Sequence, residues 1–199
     1  MPRVSREQME SNRATIEDVS ARLFREQGIA GVSVADLMSA AGLTHGGFYG
    51  HFASKDELAA VACEHAFTKA AQSREKRTKQ AGSGVDGAAS LKNYADHYLT
   101  SRHRDNAGQG CPALAFATDV MRETPDKPVR DAYLSGIKNM AKALETMAGA
   151  GAQTQREQAL VAMAAVVGAM TLARATKGDP LSDELLAAVR GFFAHQNAD

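Results

Sequence analysis

The chain has 199 residues, 44% of them hydrophobic and 23% charged, which is enough to bury a sizeable core and reads as an ordinary soluble globular protein. Its formal net charge is zero, so the electrostatic hint of a nucleic-acid partner that a basic chain would give is absent. The most apolar run, residues 159–173, is expected to be too short to span a bilayer.

The N-terminus, "MPRVSREQMESNR", is charged and lacks the apolar block of a secretory signal. Cys63 and Cys111 are far apart in sequence and form no CxxC pair, so a cytoplasmic protein with reduced thiols and no membrane partner is expected. Within residues 1–55 the basic Arg3, Arg6, Arg13, Arg22, Arg25 and Lys55 are matched by Glu7, Glu10, Glu17, Asp18, Glu26 and Asp36. A nucleic-acid partner would have to be argued from geometry.

Ile16, Val19, Leu23 and Phe24 follow the stripe of a buried helix face, and Gly28 is placed to end that helix. Ser33 then caps a short second helix with Val34, Leu37, Met38 and Ala41 inward, ended by Gly42. Thr44 is expected to cap a third, in which Phe48 and Phe52 form an i, i+4 apolar pair. Ser54 and Glu57 make a capping box that opens a long fourth helix, about 54–80, carrying Leu58, Val61, Ala62 and Ala66. That helix fades in the polar, glycine-rich residues 74–87. Further helices are predicted near 88–104, 112–123, 127–148, 153–176 and 181–196, separated by glycine- or proline-rich breaks. No stretch alternates convincingly as a strand. The predicted fold is all-α, about nine helices, with a small N-terminal bundle and a larger C-terminal one.

The third helix is the unusual one. "HGGFYG" holds Gly46, Gly47 and Gly50, and each glycine in a helix interior costs about 1 kcal/mol relative to alanine. On a 100° wheel, Phe48 and Phe52 define the buried direction and Gly50 lies opposite, with Gly46 and Gly47 beside it. His45 and Tyr49 share one flank and His51 lies on the other. A flexible loop pinned by its phenylalanines is the plain alternative. A bare face flanked by aromatic and imidazole groups suits close approach to another body, and the DNA major groove is wide enough for a helix and walled by phosphates. Two short helices joined by the tight Ala-Gly-Leu turn make a helix-turn-helix whose second helix enters such a groove.

The stretch "LFREQGIAGVSVADLMSAAGLTHGGFYGHFASKDEL", with Gly42, Tyr49, Phe52 and Lys55 at its specific spacing, resembles the DNA-binding domain of the TetR family of transcriptional regulators. The resemblance covers about a quarter of the chain. It implies a helix-turn-helix domain at 1–56 and a ligand-binding and dimerisation domain at 57–199. It implies phosphate contacts from Ser33, Thr44, Tyr49, His51 and Lys55, and base-reading positions at His45, Gly46 and Gly47. Gly50 stands where the family usually has a larger side chain, His45 where Lys, Arg or Gln is common, and Met38 where a small alanine often sits. Direct base readout should therefore be sparse, with greater dependence on backbone contacts and DNA shape.

The resemblance also implies a homodimer built on the last two helices. Leu160, Ala164, Val167, Gly168 and Thr171 mark one face of the first, and Leu185, Leu186, Val189, Phe192 and Phe193 form the stripe of the second, part of which serves the intrachain core. A dimer supplies two half-sites about one DNA turn apart, hence a palindromic operator on double-stranded DNA. Tyr94, His97, Tyr98, Phe116, Met121, Tyr133 and Met140 are candidate lining residues for a small-molecule effector cavity among the middle helices, although each also suits ordinary core packing. No charged cluster in the sequence selects a ligand class. Cys111 precedes Pro112 and so falls at a helix N-cap, with Arg102, His103 and Arg104 just upstream, a setting that favours thiolate. Some relatives of this type sense electrophiles or oxidants at a cysteine in this region, and a passive packing role is the alternative.

An enzyme would need a constellation that is missing. His97 with Asp96 or Asp119 is the nearest approach, but no nucleophile–base motif, phosphate loop or HExxH occurs, and the six histidines show no metal-ligand spacing with the cysteines. No catalytic residue, cofactor or metal is expected. A helical interaction module without DNA binding would explain the apolar stripes but not the glycines opposite Phe48 and Phe52. The function expected is an effector-responsive, dimeric DNA-binding regulator, a repressor by family habit.

Overall fold

The computed structural model describes residues 5–81, 87–148 and 152–195, and every regular element among them is helical. Ten α-helices are described: α1 (Arg6–Gln27), α2 (Val34–Ala40), α3 (Lys55–Ala81), α4 (Gly87–Tyr98), α5 (Ser101–Asp105), α6 (Pro112–Ala115), α7 (Ala117–Arg122), α8 (Pro128–Glu145), α9 (Ala152–Ala175) and α10 (Leu181–His195). Short 3₁₀ helices stand at His45–Gly50 and Ala107–Gln109.

Local chemistry explains where the elements start and stop. Ser5 Oγ accepts from Gln8 N to open α1, and Gly28 closes it at φ 76°, a left-handed conformation that a side chain would strain. Ser33 and Asp36 form a full capping box on α2, while Gly42, at φ 70°, makes the turn out of it. At α3 the box is offset: Ser54 Oγ accepts from Glu57 N, and the Glu57 carboxylate accepts from Ala53 N rather than from the cap residue.

Three expected helices come out differently. The third is a 3₁₀ helix rather than an α-helix, with no side-chain cap from Thr44. Three low-propensity glycines in six residues leave no stretch long enough to favour α geometry, and 3₁₀ is the conformation of such short pieces. α3 runs over Lys55–Ala81, close to the expected 54–80, sustained at its polar end because Arg, Glu, Lys, Gln and Ala are strong helix formers and Glu75–Lys79 pair at i, i+4. The helix expected at 88–104 breaks at Leu99, where Thr100 turns extended and caps α5 through His103 N. The one expected at 112–123 breaks at Phe116 into α6 and α7. The rest of the 74–87 break, residues 82–86, and the break at 149–151 lie outside the described residues.

The chain forms two compact units, one of Met1–Ala70 with Gly108–Gly136 and one of Ala71–Ala107 with Ile137–Asp199. The first is built on a core of Ile16, Phe24, Leu37, Met38, Phe48, Phe52 and Leu58, joined by Phe116, Val120, Val129 and Ala132 from the later segment. Polar contacts secure that later segment. Ile29 N donates to Asp119 Oδ2 at 3.1 Å, Arg25 Nη1 donates to Gly110 O at 3.1 Å, and Lys127 Nζ lies 2.6 Å from Asp56 Oδ2. Asp119 supplies the acceptor for an N–H just past the end of α1. Asp119→Ala leaves that N–H in a half-buried place without a partner, and a loss of about 1–3 kcal/mol in denaturant unfolding is expected. Asp119→Asn, which keeps an oxygen acceptor, should lose less.

In the second unit α9 packs on α10, with Ala159, Ala162, Val166, Ala169, Met170 and Ala173 inward from one and Leu186 and Phe193 from the other. Buried Ser182 donates to Ala173 O at 2.7 Å and accepts from Arg104 Nη1 at 2.8 Å. Arg104 also meets Asp105 and Asp183, and the bonds from Arg104 and Lys177 hold the Asp105 carboxyl down at about 2. By length and composition Thr154–Ala175 is apolar enough to cross a membrane, 22 residues at mean hydropathy 1.5, longer than the run read from the sequence. The helix extends beyond that run at its N-terminal end and keeps a wide apolar face, of which only part is buried within this chain.

Candidate nucleic-acid interface

The helix-turn-helix is assembled from α2, the Gly42 turn and the 3₁₀ helix, held on the first unit's core by Phe48 and Phe52, both buried as the wheel predicts. His51 N and Phe52 N both bond to Phe48 O, at 2.9 and 3.1 Å, which closes the element. In 3₁₀ geometry residues three apart eclipse, so Gly47 and Gly50 share one edge and Gly46 lies in line with Tyr49. The bare edge is narrower than an α wheel suggests.

None of the three glycines is demanded by the chain itself. None has positive φ. A Cβ on Gly46 or Gly50 would meet nothing within 4 Å, and one on Gly47 would make only ordinary contact with Met38 Cε at 3.6 Å and Thr44 Oγ1 at 3.7 Å. Met38, large where a small residue was noted as common, is buried beneath that edge.

The flanking side chains divide into the available and the committed. Tyr49 is 69% exposed, its ring edge-on to Phe48 at 5.2 Å, and His45 and Thr44 are exposed beside it. His51 is half-buried, and its carbonyl accepts from Arg13 of α1, whose guanidinium also lies 4.2 Å from the Phe52 ring centroid. Lys55 is half-buried at the start of α3. The acids beside it are occupied within the chain, Asp56 by Lys127 and Glu57 by Ala53 N, which lessens their repulsion of a phosphate. Ser33 is otherwise than expected. Its hydroxyl donates to Asp36 Oδ2 and accepts from Asp36 N, and these bonds hold the Asp36 carboxyl below its usual range. An ionised carboxylate at that helix start disfavours the phosphate contact expected of Ser33. Arg13 is the residue that sequence reading missed, since nothing in its neighbourhood set it apart from the other arginines of α1.

The candidate effector residues are divided between the two units. Phe116 is wholly buried in the first unit's core, and Tyr133, its hydroxyl donating to Ala113 O at 2.7 Å and pushed up to about 12 first by burial, packs against it. Met121, on α7, is 80% exposed. Cys111 is at the N-cap of α6, but that helix is only four residues long and gives little dipole, and the residue is buried. The cation beside it is Arg25, through Gly110 O; Arg102, His103 and Arg104 belong to the other unit. Burial pushes the Cys63 thiol up to about 12, as befits a core residue. Tyr94, His97, Tyr98 and Met140 fall in the second unit. A half-open cavity of about 190 Å³ in that unit is lined by Leu91, Thr154, Glu157, Gln158, Val161, Phe192 and Phe193.

The residues expected at a dimer interface all lie off the buried stripe. Leu160, Ala164, Thr171 and Phe192 are exposed, and Val167, Gly168, Leu185 and Val189 are half-exposed. A Cβ on Gly168 would meet nothing within 4 Å, so no contact within the chain requires glycine there.

Residues 16–62 match the family described as bacterial regulatory proteins, tetR family. The HTH-type transcriptional regulator AcrR of Shigella flexneri is 38% identical over 58 residues, 29% of this chain, and the match spans 27% of AcrR, about a quarter of its length. A TetR-family regulator from Cytophaga hutchinsonii shares the fold along 97% of both chains, with a TM-score of 0.77 at 23% identity. FadR from Bacillus subtilis, solved with stearoyl-CoA, covers 90% of this chain and 96% of its own, with a TM-score of 0.66 at 13% identity. The matched segment carries the recognition geometry described above, and residues 16–62 form a helix-turn-helix domain of the kind found in bacterial regulatory proteins of the tetR family.

Proposed function

We propose that the protein binds a palindromic double-stranded DNA operator as a homodimer and represses from it until an effector acts on the rest of the chain. The observation that carries this is the 3₁₀ helix edge. Gly46 and Gly50 face open space with no packing or dihedral reason to be glycine, next to an exposed Tyr49 and His45. Close approach by an outside body is the remaining reason, and a groove wall offers acceptors and phosphates to both flanks. Tyr49, Thr44, His51 and Lys55 take the backbone in this reading, with His45, Gly46 and Gly47 toward the bases.

Duplexes selected from a random pool by the wild-type protein provide the test, read by fluorescence anisotropy at fixed salt. Tyr49→Ala is expected to weaken binding about tenfold on every selected sequence, as loss of a backbone contact does. Gly46→Ala with Gly50→Ala should raise unfolding stability by about 1 kcal/mol while weakening binding at least about tenfold. A double variant that gains stability and binds as well as wild type would sink the reading.

The dimer is supported by the outward faces of α9 and α10, where Val161 is 56% exposed and Leu172, Leu181 and Phe192 lie open as well. A second copy covers this surface; a bilayer fits less well, because Arg156 and Glu157 lie toward one end and Arg174 is tied to the carbonyls of His103 and Arg104 near the other. FadR was solved with stearoyl-CoA, which supports a small-molecule effector here too. Modification of Cys111 is a second route, favoured by the Arg25–Gly110 bond beside it: a bulky adduct would strain a contact that ties this segment to α1. The same anisotropy titration after N-ethylmaleimide, with Cys111→Ser as control, checks it.

A further inference from the structure

The recognition element is weakly determined by its own residues. His45–Gly50 is six residues long, three of them glycine, and Phe48 is the one side chain among them that is buried. A short 3₁₀ piece of this composition does not hold its place alone, so contacts from outside it fix where Tyr49 and His51 stand. Phe48 and Phe52 supply the apolar part of that anchorage from the core. The polar part comes from α1.

Arg13 reaches a residue 38 positions further along the chain: its Nη1 donates to the carbonyl of His51, the C-cap residue of the 3₁₀ helix. Its guanidinium carbon lies 4.2 Å from the centroid of the Phe52 ring, and its Nε lies 3.1 Å from Glu17 Oε1, one turn further along α1. One planar group thus meets an acceptor, an aromatic ring and a carboxylate together, which fixes both its tilt and its reach. Lysine, a point charge on a flexible stem, satisfies one of these at a time. Glutamine can donate to the carbonyl, but it neither pairs with Glu17 nor draws on the ring's quadrupole. The latched end is also where the element closes, since His51 N and Phe52 N both donate to Phe48 O. The Arg13 side chain is 40% exposed, so a polar replacement leaves the core untouched.

We propose that Arg13 is a positioning residue of the DNA interface: it latches the C-terminal end of the recognition element to α1 and so sets where Tyr49 and His51 present their side chains. This rests on the operator-binding reading above. Arg13 acts through a carbonyl and a ring of its own chain, and the DNA meets the residues that it holds in place. Two other roles make different demands. A direct phosphate contact needs the charge but neither the ring nor the carbonyl. A general prop of the fold stabilises the whole first unit, not one end of one short helix.

The test is native-state amide hydrogen exchange of the full chain without DNA, followed by anisotropy on the selected duplexes. Arg13→Gln should speed exchange of the His51 and Phe52 amides about tenfold, while those of Leu23, Phe24 and Leu58 keep the wild-type rate. The same substitution should weaken operator binding about tenfold, with the slope of log affinity against log salt unchanged. Arg13→Lys should recover only part of either loss. A slope smaller by about one would make Arg13 a phosphate contact, and faster exchange throughout the unit would make it a prop of the fold. Either result overturns the positioning role, as do unchanged exchange at His51 and Phe52, unchanged binding, or full rescue by lysine. The exchange arm contains no DNA, so its failure removes the latch alone, whereas a wild-type protein that prefers no duplex removes the operator-binding reading.

Discussion

Leu160→Asp combined with Phe192→Asp is expected to give a folded monomer that no longer binds the operator tightly. Both side chains are exposed in the single chain, Phe192 by 50%, so a carboxylate at either costs the fold little, within about 0.5 kcal/mol. In a two-fold dimer each position occurs twice. A central aromatic of an interface is commonly worth about 2 kcal/mol or more, and the new charges are desolvated among apolar groups. Two copies of two substitutions should therefore weaken association by well over about a thousandfold. Sedimentation equilibrium reads the mass directly. Binding to a full palindrome should then drop to the weak affinity of one half-site, since a monomer presents one short recognition element. A double variant that remains a dimer would place the interface elsewhere.

Gly136→Val is expected to destabilise the first unit by about 1–3 kcal/mol or more, although Gly136 sits inside a helix where a side chain ordinarily helps. A Cβ there would lie 2.3 to 2.5 Å from three atoms of the Phe67 ring. That ring cannot simply turn aside, because it packs at 5.9 Å against Tyr133, whose hydroxyl is itself bonded to Ala113 O. The glycine thus lets α8 lie directly on a phenylalanine of α3. Denaturant unfolding of Gly136→Val, Phe67→Leu and the double variant forms a closed cycle. If the steric account is right, the second substitution recovers much of the first, and the two losses do not add. Additive losses would show that Phe67 is not what the new side chain strikes.

The helix-turn-helix was legible because its signals are local. Ser33, Gly42, the Ser54–Glu57 pair and the phase of Phe48 and Phe52 each act within a few residues, and caps and periodicity need no knowledge of what lies across the core. The conformation of His45–Gly50 was not legible in the same way. Its apolar phase is compatible with either helix type, and the glycines, which tipped it to 3₁₀, had been read on an α wheel. Nothing local to Phe116 and Tyr133 says that their segment joins the first unit's core.

The sequence by itself determined an all-α chain, the positions of its main caps and turns, and a TetR-type recognition segment, because these follow from backbone propensity and the spacing of a few side chains. Only the tertiary structure decided what depends on residues far apart in the chain. It joined Gly108–Gly136 to the recognition unit through Asp119, Arg25 and Lys127. It also split the last two helices into a buried stripe and an open one, and brought Arg174 of α9 to the carbonyls of His103 and Arg104. Charge and burial act through space, and the order of residues along the chain does not carry those distances.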